Sequence, residues 1–501
     1  MSALAELSAS ELLVPLVAAP LIGALLCIFL KRRVSDAVAA IFAAITLVLA
    51  VGAIGDVFGN LGSTISVPLG RLPMLGGETG VAPLVFELSI DALGALMLFM
   101  VAVIGFLVVV YSSEYLSPNN VEHPAGESKG RYYAWLLLFL GAMVGIAVSG
   151  NFLQMFIFWE LTTLCSWALI SHYQNEESLR AGFKALVMTA IGGLFFLLAL
   201  VLLYLNLDTN PFAFDALGRV SPEVRTLVFV FLLIGAWAKA AQFPFFTWLP
   251  DAMAAPTPIS CYLHAAAMVK AGVFLMARTV SASFGLSYGM GLLTGLMALG
   301  TISIVVFLFL FQDDLKKILA LSTIAHLGYI LIACALGIWG SGVAFQGGLL
   351  HIAAHGCGKG LLFLSVGMLT YYTGTRRISE LSGLGAKLPL VALAFFVGAF
   401  TVTGVPPLAG FWSKFMIITG GLEIGGMGAL ISILLLIESL IAFGFFLWIG
   451  QRIFLGEPSP ATAQVRSSTP IMGAVLIILS VLCLVVPIFV FPLIQHIPLG
   501  M

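Results

Sequence analysis

Fourteen apolar runs follow one another along this chain, at residues 12–30, 34–55, 88–111, 132–149, 152–171, 183–206, 225–249, 257–280, 287–311, 316–338, 343–371, 388–420, 427–450 and 470–493. Each approaches the ~20 residues that cross the hydrocarbon core of a bilayer as a helix. Lipid offers no partner to a backbone N–H or C=O, so spans of this kind must pair their own peptide groups. With 61% hydrophobic and 9% charged residues, the chain could not cover a water-exposed surface, which takes roughly 25% charge. The fold expected is an all-α polytopic membrane protein of about 14 transmembrane helices.

The connections are short, the longest polar ones being about 56–87 and 112–131. We therefore expect residues 1–501 to form a single membrane domain: N-terminal helices in 1–111, then 132–280, 287–450 and a last helix at 470–493. The first run is preceded by acidic residues and followed by Lys31, Arg32 and Arg33, the reverse of a secretory signal, and reads as a retained helix. Cys27, Cys165, Cys261, Cys334, Cys357 and Cys483 are scattered through apolar stretches without C-x-x-C spacing. They read as packing residues, with no metal site or cofactor. No dinucleotide turn or phosphate loop is present, and a net charge of −1 implies no nucleic-acid partner.

Basic residues divide by side. If the N-terminus lies outside, the inner loops hold Lys31, Arg32, Arg33, Lys129, Arg131, Arg180, Lys184, Lys316, Lys317, Arg376, Arg377, Lys387, Arg452 and Arg466, and the outer ones Arg71, Arg219, Arg225 and Arg278. The bias satisfies the positive-inside rule and predicts a multi-pass protein of the cell inner membrane with both termini outside. Asp313, Asp314, Lys316 and Lys317 read as a solvated helix start, and Glu423 as a loop residue.

Four of the 22 basic residues remain, Lys239, Lys270, Lys359 and Lys414, and these fall within the apolar runs. A lysine at the centre of a span costs about 2.5–3.5 kcal/mol on insertion scales, and intramembrane charges usually mark ion pathways. Glu160 lies in the fifth run, and Lys239 in the seventh just before Gln242-Phe243-Pro244. The twelfth run is broken by Gly404-Val405-Pro406-Pro407, with Lys414 seven residues on. Two interrupted helices five apart, each with a lysine, suggest inverted five-helix repeats over helices 4–8 and 9–13. The repeat aligns His264 and Lys270 with Glu438.

His351, His355 and Lys359 stand at i, i+4 and i+8 on the eleventh helix, one face with about 6 Å of rise between neighbours. Histidine titrates near neutrality, and an ammonium taken out of water holds its proton less tightly. A Glu–Lys–His–Lys–Glu series can therefore exchange protons. Any one buried lysine or histidine could instead be a satisfied structural group. Taken as a set, they point to an ion pathway, while His326 is open to either reading.

Three motifs carry a family resemblance: Trp159-Glu160; Lys239-x-x-Gln242-Phe243-Pro244-x-x-x-Trp248-Leu249-Pro250-Asp251-Ala252-Met253-x-x-Pro256-Thr257-Pro258; and Gly404-x-Pro406-Pro407-x-x-Gly410-Phe411-Trp412-x-Lys414. From about 88 to 450 the chain resembles the antiporter-like membrane subunits of respiratory complex I, membrane-bound hydrogenases and Mrp-type cation/proton antiporters. Phe158-Trp159-Glu160-Leu161-Thr162 and His264-Ala265-Ala266-Ala267-Met268-Val269-Lys270 look most like the N-terminal part of the Mrp A subunit. The L subunit of complex I typically lacks the lysine matching Lys270.

The resemblance implies proton translocation within a hetero-oligomeric complex, with Na+ as a candidate coupling ion and without a redox site in this chain, whether the complex is an antiporter or an NADH:quinone oxidoreductase or hydrogenase type of translocase. It also implies a Glu160–Lys239 switch pair, a bridge through His264, Lys270, His351, His355 and Lys359, and Lys414 as the terminal site. Two departures stand out. The chain stops soon after the fourteenth run, without the lateral helix of the L subunit or the extension of a full-length A subunit, and His326 stands where relatives commonly carry Gln. The alternatives are the membrane subunit of a bicarbonate-uptake complex, which needs a soluble zinc-bearing partner, or a non-transporting scaffold, which has no use for a charged axis.

Overall fold

The structure is a computed structural model that describes residues 8–30, 32–71, 84–124, 129–462, 465 and 469–500. Lys31, Arg466 and both chain ends lie outside the described residues, as do the side chains of Arg32, Arg33 and Arg71, so these parts of the charge pattern are not placed.

Helices α1 (Ala9–Phe29) and α2 (Arg32–Gly59) lead into a two-stranded antiparallel hairpin, β1 (Ile65–Arg71) with β2 (Leu84–Ile90), in register Ile65 to Ile90. The apolar pattern did not announce the hairpin. Residues 88–90, expected to open the third helix, are strand, because Asp91 accepts the N–H of Gly94 and starts α3 (Ala92–Tyr115) only beyond them. Then come α4 (Lys129–Ala147), α5 (Phe152–Ile170) and α6 (Glu176–Asn206), the last two capped by Asn151 and Asn175. A short α7 (Ala216–Arg219) precedes α8 (Pro222–Lys239), which begins with proline in its first turn, where a missing N–H costs nothing.

Breaks organise the middle of the chain. After Lys239 the backbone leaves the helix, with Ala241 at φ 50° and a cis Phe243–Pro244 bond, and resumes as a 3-10 turn, α9 (Trp248–Asp251) and a second 3-10 turn. The eighth run, expected to be continuous, is also broken: α10 (Thr257–Ala265) and α11 (Met268–Ala282) are separated by Ala266 and Ala267, both of whose N–H groups bond the Tyr262 carbonyl. No proline or glycine marks this break. Next are α12 (Tyr288–Phe309), α13 (Leu315–Ile338) and α14 (Gly342–Thr373), then α15 (Pro389–Thr403), which ends at Gly404 in the left-handed region (φ 92°). After the cis Pro406–Pro407 bond, α16 (Ala409–Ile424) starts so close to α15 that a Cβ on Gly410 would overlap the Thr401 carbonyl. Helices α17 (Gly426–Phe454) and α18 (Pro470–Ile494) complete the bundle.

Among the described residues, twelve helical spans are long and apolar enough to cross a bilayer; they include α10 and α11 taken together, but not the broken seventh and twelfth runs. The central turns of the α10–α11 span, α13 and α14 are buried inside the protein, while α2, α6, α17 and α18 turn much of their surface outward. Buried polar residues such as Lys239, Lys270, His351, His355 and Lys414 are thus enclosed by lipid-facing helices, whereas the breaks themselves, at Phe243-Pro244 and Pro406-Pro407, reach the outer surface.

Loop charges gather at two ends. Lys129 pairs with Asp36 (3.0 Å), Lys184 with Asp251 (2.6 Å) and Arg376 with Asp314 (2.7 Å) at one end. Arg225 binds the carbonyls of Leu217 and Gly285, and Arg278 pairs bidentately with Asp91, at the other. Lys316 corrects an expectation. It is buried, not solvated, and its ammonium donates to the Ala255 carbonyl at 2.7 Å, satisfying a backbone group freed where the second 3-10 turn ends.

Candidate functional site

The eight expected residues do not form one uniform row. At one edge, Lys239 is the last residue of α8, and its position at the break lets the ammonium reach α5: Nζ donates to the Trp159 carbonyl (2.6 Å) and the Thr163 hydroxyl (3.0 Å) and lies 4.5 Å over the Trp159 ring. Glu160 follows Trp159, but the ~100° turn per residue sends its carboxylate toward α6. There it abuts Gly193, where a Cβ would overlap Oε1, and Oε1 is buried without a hydrogen-bond partner. Glu160 makes no ion pair with Lys239 among the described residues, so the expected pair is open in this structure. Gln242 donates to the carbonyls of Ala240 (2.9 Å) and Ile324 (3.2 Å), tying the break to α13.

In the centre two helices present facing ladders. On α14, His351, His355 and Lys359 share one face as their spacing requires, with the two imidazole centroids 6.0 Å apart. Facing them, α13 offers Ser322, His326 and Tyr329, at i, i+4 and i+7. Lys270 Nζ on α11 meets His355 Nδ1 at 2.7 Å. The His355 and His326 rings are 5.1 Å apart, and His326 Nδ1 lies 3.2 Å from His351 Nε2. His351 Nδ1 is 2.9 Å from the Ser413 hydroxyl on α16, and its ring stacks on Tyr329 at 5.6 Å. Each imidazole can both donate and accept, the tautomers following from its neighbours.

The far edge is built by Tyr329, Lys414, Glu438 and Ser439. The Tyr329 hydroxyl contacts the Glu438 carboxylate, the Leu435 carbonyl (2.7 Å) and the Ser439 hydroxyl (2.9 Å). Lys414 donates to that same Ser439 hydroxyl at 2.9 Å and lies 4.6 Å over the Tyr329 ring. Lys414, whose own helix offers no acid within a turn, thus has one close by on α17.

Two expected residues stand aside. Lys359 bonds the Ser322 hydroxyl and the Leu319 carbonyl (3.2 Å), away from the histidines. His264, in the last turn of α10, packs on Phe363 with ring centroids 4.7 Å apart and has no partner at either nitrogen among the described residues. No hydrogen bond among the described residues joins Lys239 to Lys270, although α11 touches the end of α8: a Cβ on Gly272 would lie 3.0 Å from the Ala240 nitrogen.

His326, Tyr329, Ser322, Ser413 and Ser439 belong to this arrangement although sequence reasoning did not select them, and Glu438 entered only through the repeat. The helical spacing of Ser322, His326 and Tyr329 in an apolar span is the signal that could have found the α13 ladder.

A polar surface adjoins the basic-rich end: two neighbouring hollows of about 740 and 660 Å³ share Glu177, Lys317 and Arg376. Behind it the buried Tyr115 hydroxyl stands 3.4 Å from the carboxylate of Glu122, which lines the second hollow, and 3.1 Å from the Thr257 hydroxyl at the start of α10. His123 is held below the usual imidazole range by burial, and His172 is pushed down to about 4 by burial and by nearby Arg131.

The family described as NADH:quinone oxidoreductase/Mrp antiporter, transmembrane region, matches residues 149–442, which hold every residue named for the axis. The chain belongs to this family. The N-terminal segment of complex I chain 5 matches residues 78–122. Among relatives of this antiporter-like chain, the Na(+)/H(+) antiporter subunit A1 of Staphylococcus aureus (strain JH9) is 34% identical over 423 residues, 80% of this chain and 51% of that protein. The chain thus spans about half the length of the curated relatives it matches. Of solved structures, the Mrp complex from Dietzia sp. DQ12-45-1b contains a chain with TM-score 0.81 and 29% identity, covering 97% of this chain and 52% of that one. The archaeal membrane-bound sulfane sulfur reductase, a respiratory membrane complex, contains one with TM-score 0.82 and 25% identity, covering 97% and 96%.

Proposed function

We propose that this chain is the proton-translocating membrane subunit of a multisubunit Mrp-type Na+/H+ antiporter or complex I-like assembly. The observation that carries this reading is the linked series Lys270, His355, His326, His351, Tyr329 and Lys414, buried within a lipid-facing ring. A charged, titratable series costs too much in a membrane core to be kept for packing alone.

Glu160 and Lys239 act as the coupling switch. A rotation of the unpartnered carboxylate toward α8 would form the pair. At ~4 Å and an effective dielectric of ~20, such a pair is worth about 4 kcal/mol, a factor of roughly 10³ in proton occupancy. Forming or opening it, under the influence of a neighbouring subunit, changes the drive for protons to leave the central histidines for Lys414. His264 and Lys359 supply further proton-binding groups beside the ladder. The halves holding the breaks at Lys239 and Gly404 are read as inverted repeats, and the basic-rich end as cytoplasmic, with both termini outside.

The test is purification of the intact complex with identification of its subunits, followed by sodium-driven proton flux in reconstituted vesicles. Sodium-coupled flux supports the antiporter assignment; a co-purifying redox module with quinone-coupled flux assigns the complex I-like alternative. A sealed complex with neither flux removes the reading.

A further inference from the structure

A groove on the lipid-facing side between α1 and α4 is lined by Leu21, Leu25 and Ile28 from one helix and by Arg131, Trp135 and Leu138 from the other. Both triplets follow the helical repeat, so each forms one stripe. The groove encloses about 460 Å³. Its mouth is at Arg131 in the first turn of α4, level with the end of α1: a Cβ on Gly130 would lie 3.0 Å from the Leu30 carbonyl. Its floor, seven residues further along α4, is about 10 Å deeper.

Arg131 is the feature that packing does not explain. Its Nη2 donates to the His172 carbonyl at 2.9 Å, which fixes the guanidinium, yet it is exposed and has no carboxylate partner among the described residues. Lys129, two residues away, is by contrast closed onto Asp36. Lys31, Arg32 and Arg33 follow α1 directly in the sequence.

We propose that this groove binds an anionic phospholipid, with one acyl chain along the Leu25 and Leu138 stripes and the headgroup phosphate on Arg131. An arginine at the mouth and a tryptophan one turn inside match the headgroup and interfacial levels of a bilayer. Basic residues beside a span attract anionic lipid. The occupant is a lipid because the groove joins two apolar stripes to one exposed guanidinium at its mouth, the chemistry of a hydrocarbon chain below a phosphate headgroup.

The experiment uses the intact complex in nanodiscs with a tracer of phosphatidylglycerol bearing a photoactivatable diazirine in its acyl chain, the labelled peptides being mapped by mass spectrometry. Label is expected on peptides containing Leu25–Ile28 and Trp135–Leu138, displaced about fivefold better by unlabelled phosphatidylglycerol than by phosphatidylcholine, the selectivity of one basic residue at the surface. Arg131→Gln should erase that preference, Arg131→Lys should keep it, and Ala134→Phe, which fills the groove, should remove the label, all at equal assembled protein. Equal displacement by the two lipids, unchanged selectivity in Arg131→Gln, or crosslinks from the groove to another subunit in place of lipid would overturn the proposal.

Discussion

Replacing Lys414 by arginine separates a residue that carries a proton from one that only holds a charge. Lys414 Cδ runs past Gly404, which has no side chain to crowd it, and its Nζ is seated on Ser439. Arginine keeps the positive charge beside Tyr329 and Glu438, so assembly should survive. A guanidinium with a pKa above ~12 is deprotonated in fewer than about one in 10⁴ molecules at neutral pH. If protons leave through this nitrogen, flux should fall to the background leak, as in Lys414→Ala. The assay is sodium-driven proton movement in reconstituted vesicles, read with a pH-sensitive dye and normalised to assembled complex. If arginine retains half of the wild-type flux or more, Lys414 does not carry protons.

Glu160→Gln and Lys239→Ala should each abolish most transport while the protein still inserts and assembles, and normal flux in either at wild-type level counts against the switch pair. His326→Gln should keep substantial flux, because an amide can still hydrogen-bond His351 beside His355, whereas His326→Leu should lose at least tenfold; equal effects of the two would remove His326 from the path. His172, held near 4, folds in its neutral form, so its contribution is present above its unfolded value of about 6.5 and is lost as pH falls from there toward 4. The thermal stability of the wild type in detergent should therefore drop over that window, by at most about 3 kcal/mol, and His172→Phe should flatten this part of the curve; an unchanged slope refutes the assignment.

The sequence exposed the membrane architecture because length and apolarity alone decide it, and it exposed Lys239, Lys270, Lys359 and Lys414 because a lysine in an apolar run is conspicuous. The Pro-marked breaks after Lys239 and at Gly404 were legible for the same reason. The break at Ala266 and Ala267 was not, because alanine is a good helix former and no residue type there signals that both N–H groups turn to the Tyr262 carbonyl. Tyr329 and Ser439 were hidden as ordinary residues of apolar helices; their weight comes from which helix lies opposite, a long-range fact. Glu160 shows the converse: its type and position were evident, but that its carboxylate abuts Gly193 on α6 depends on helix packing that no motif encodes.

The enclosure of α13 and α14 also has a consequence for how the molecule is made. They enter the bilayer bearing titratable groups, His326 on α13 and His351, His355 and Lys359 on α14, before α16, α17 and α18 exist to cover them. Ser413 and Glu438, which complete the partners of His351 and Tyr329, and α18, which packs along α14, are synthesised last. Biogenesis therefore needs shelter for half-finished polar helices, and a chain truncated before α16 should be a substrate for membrane quality control, not a smaller working channel.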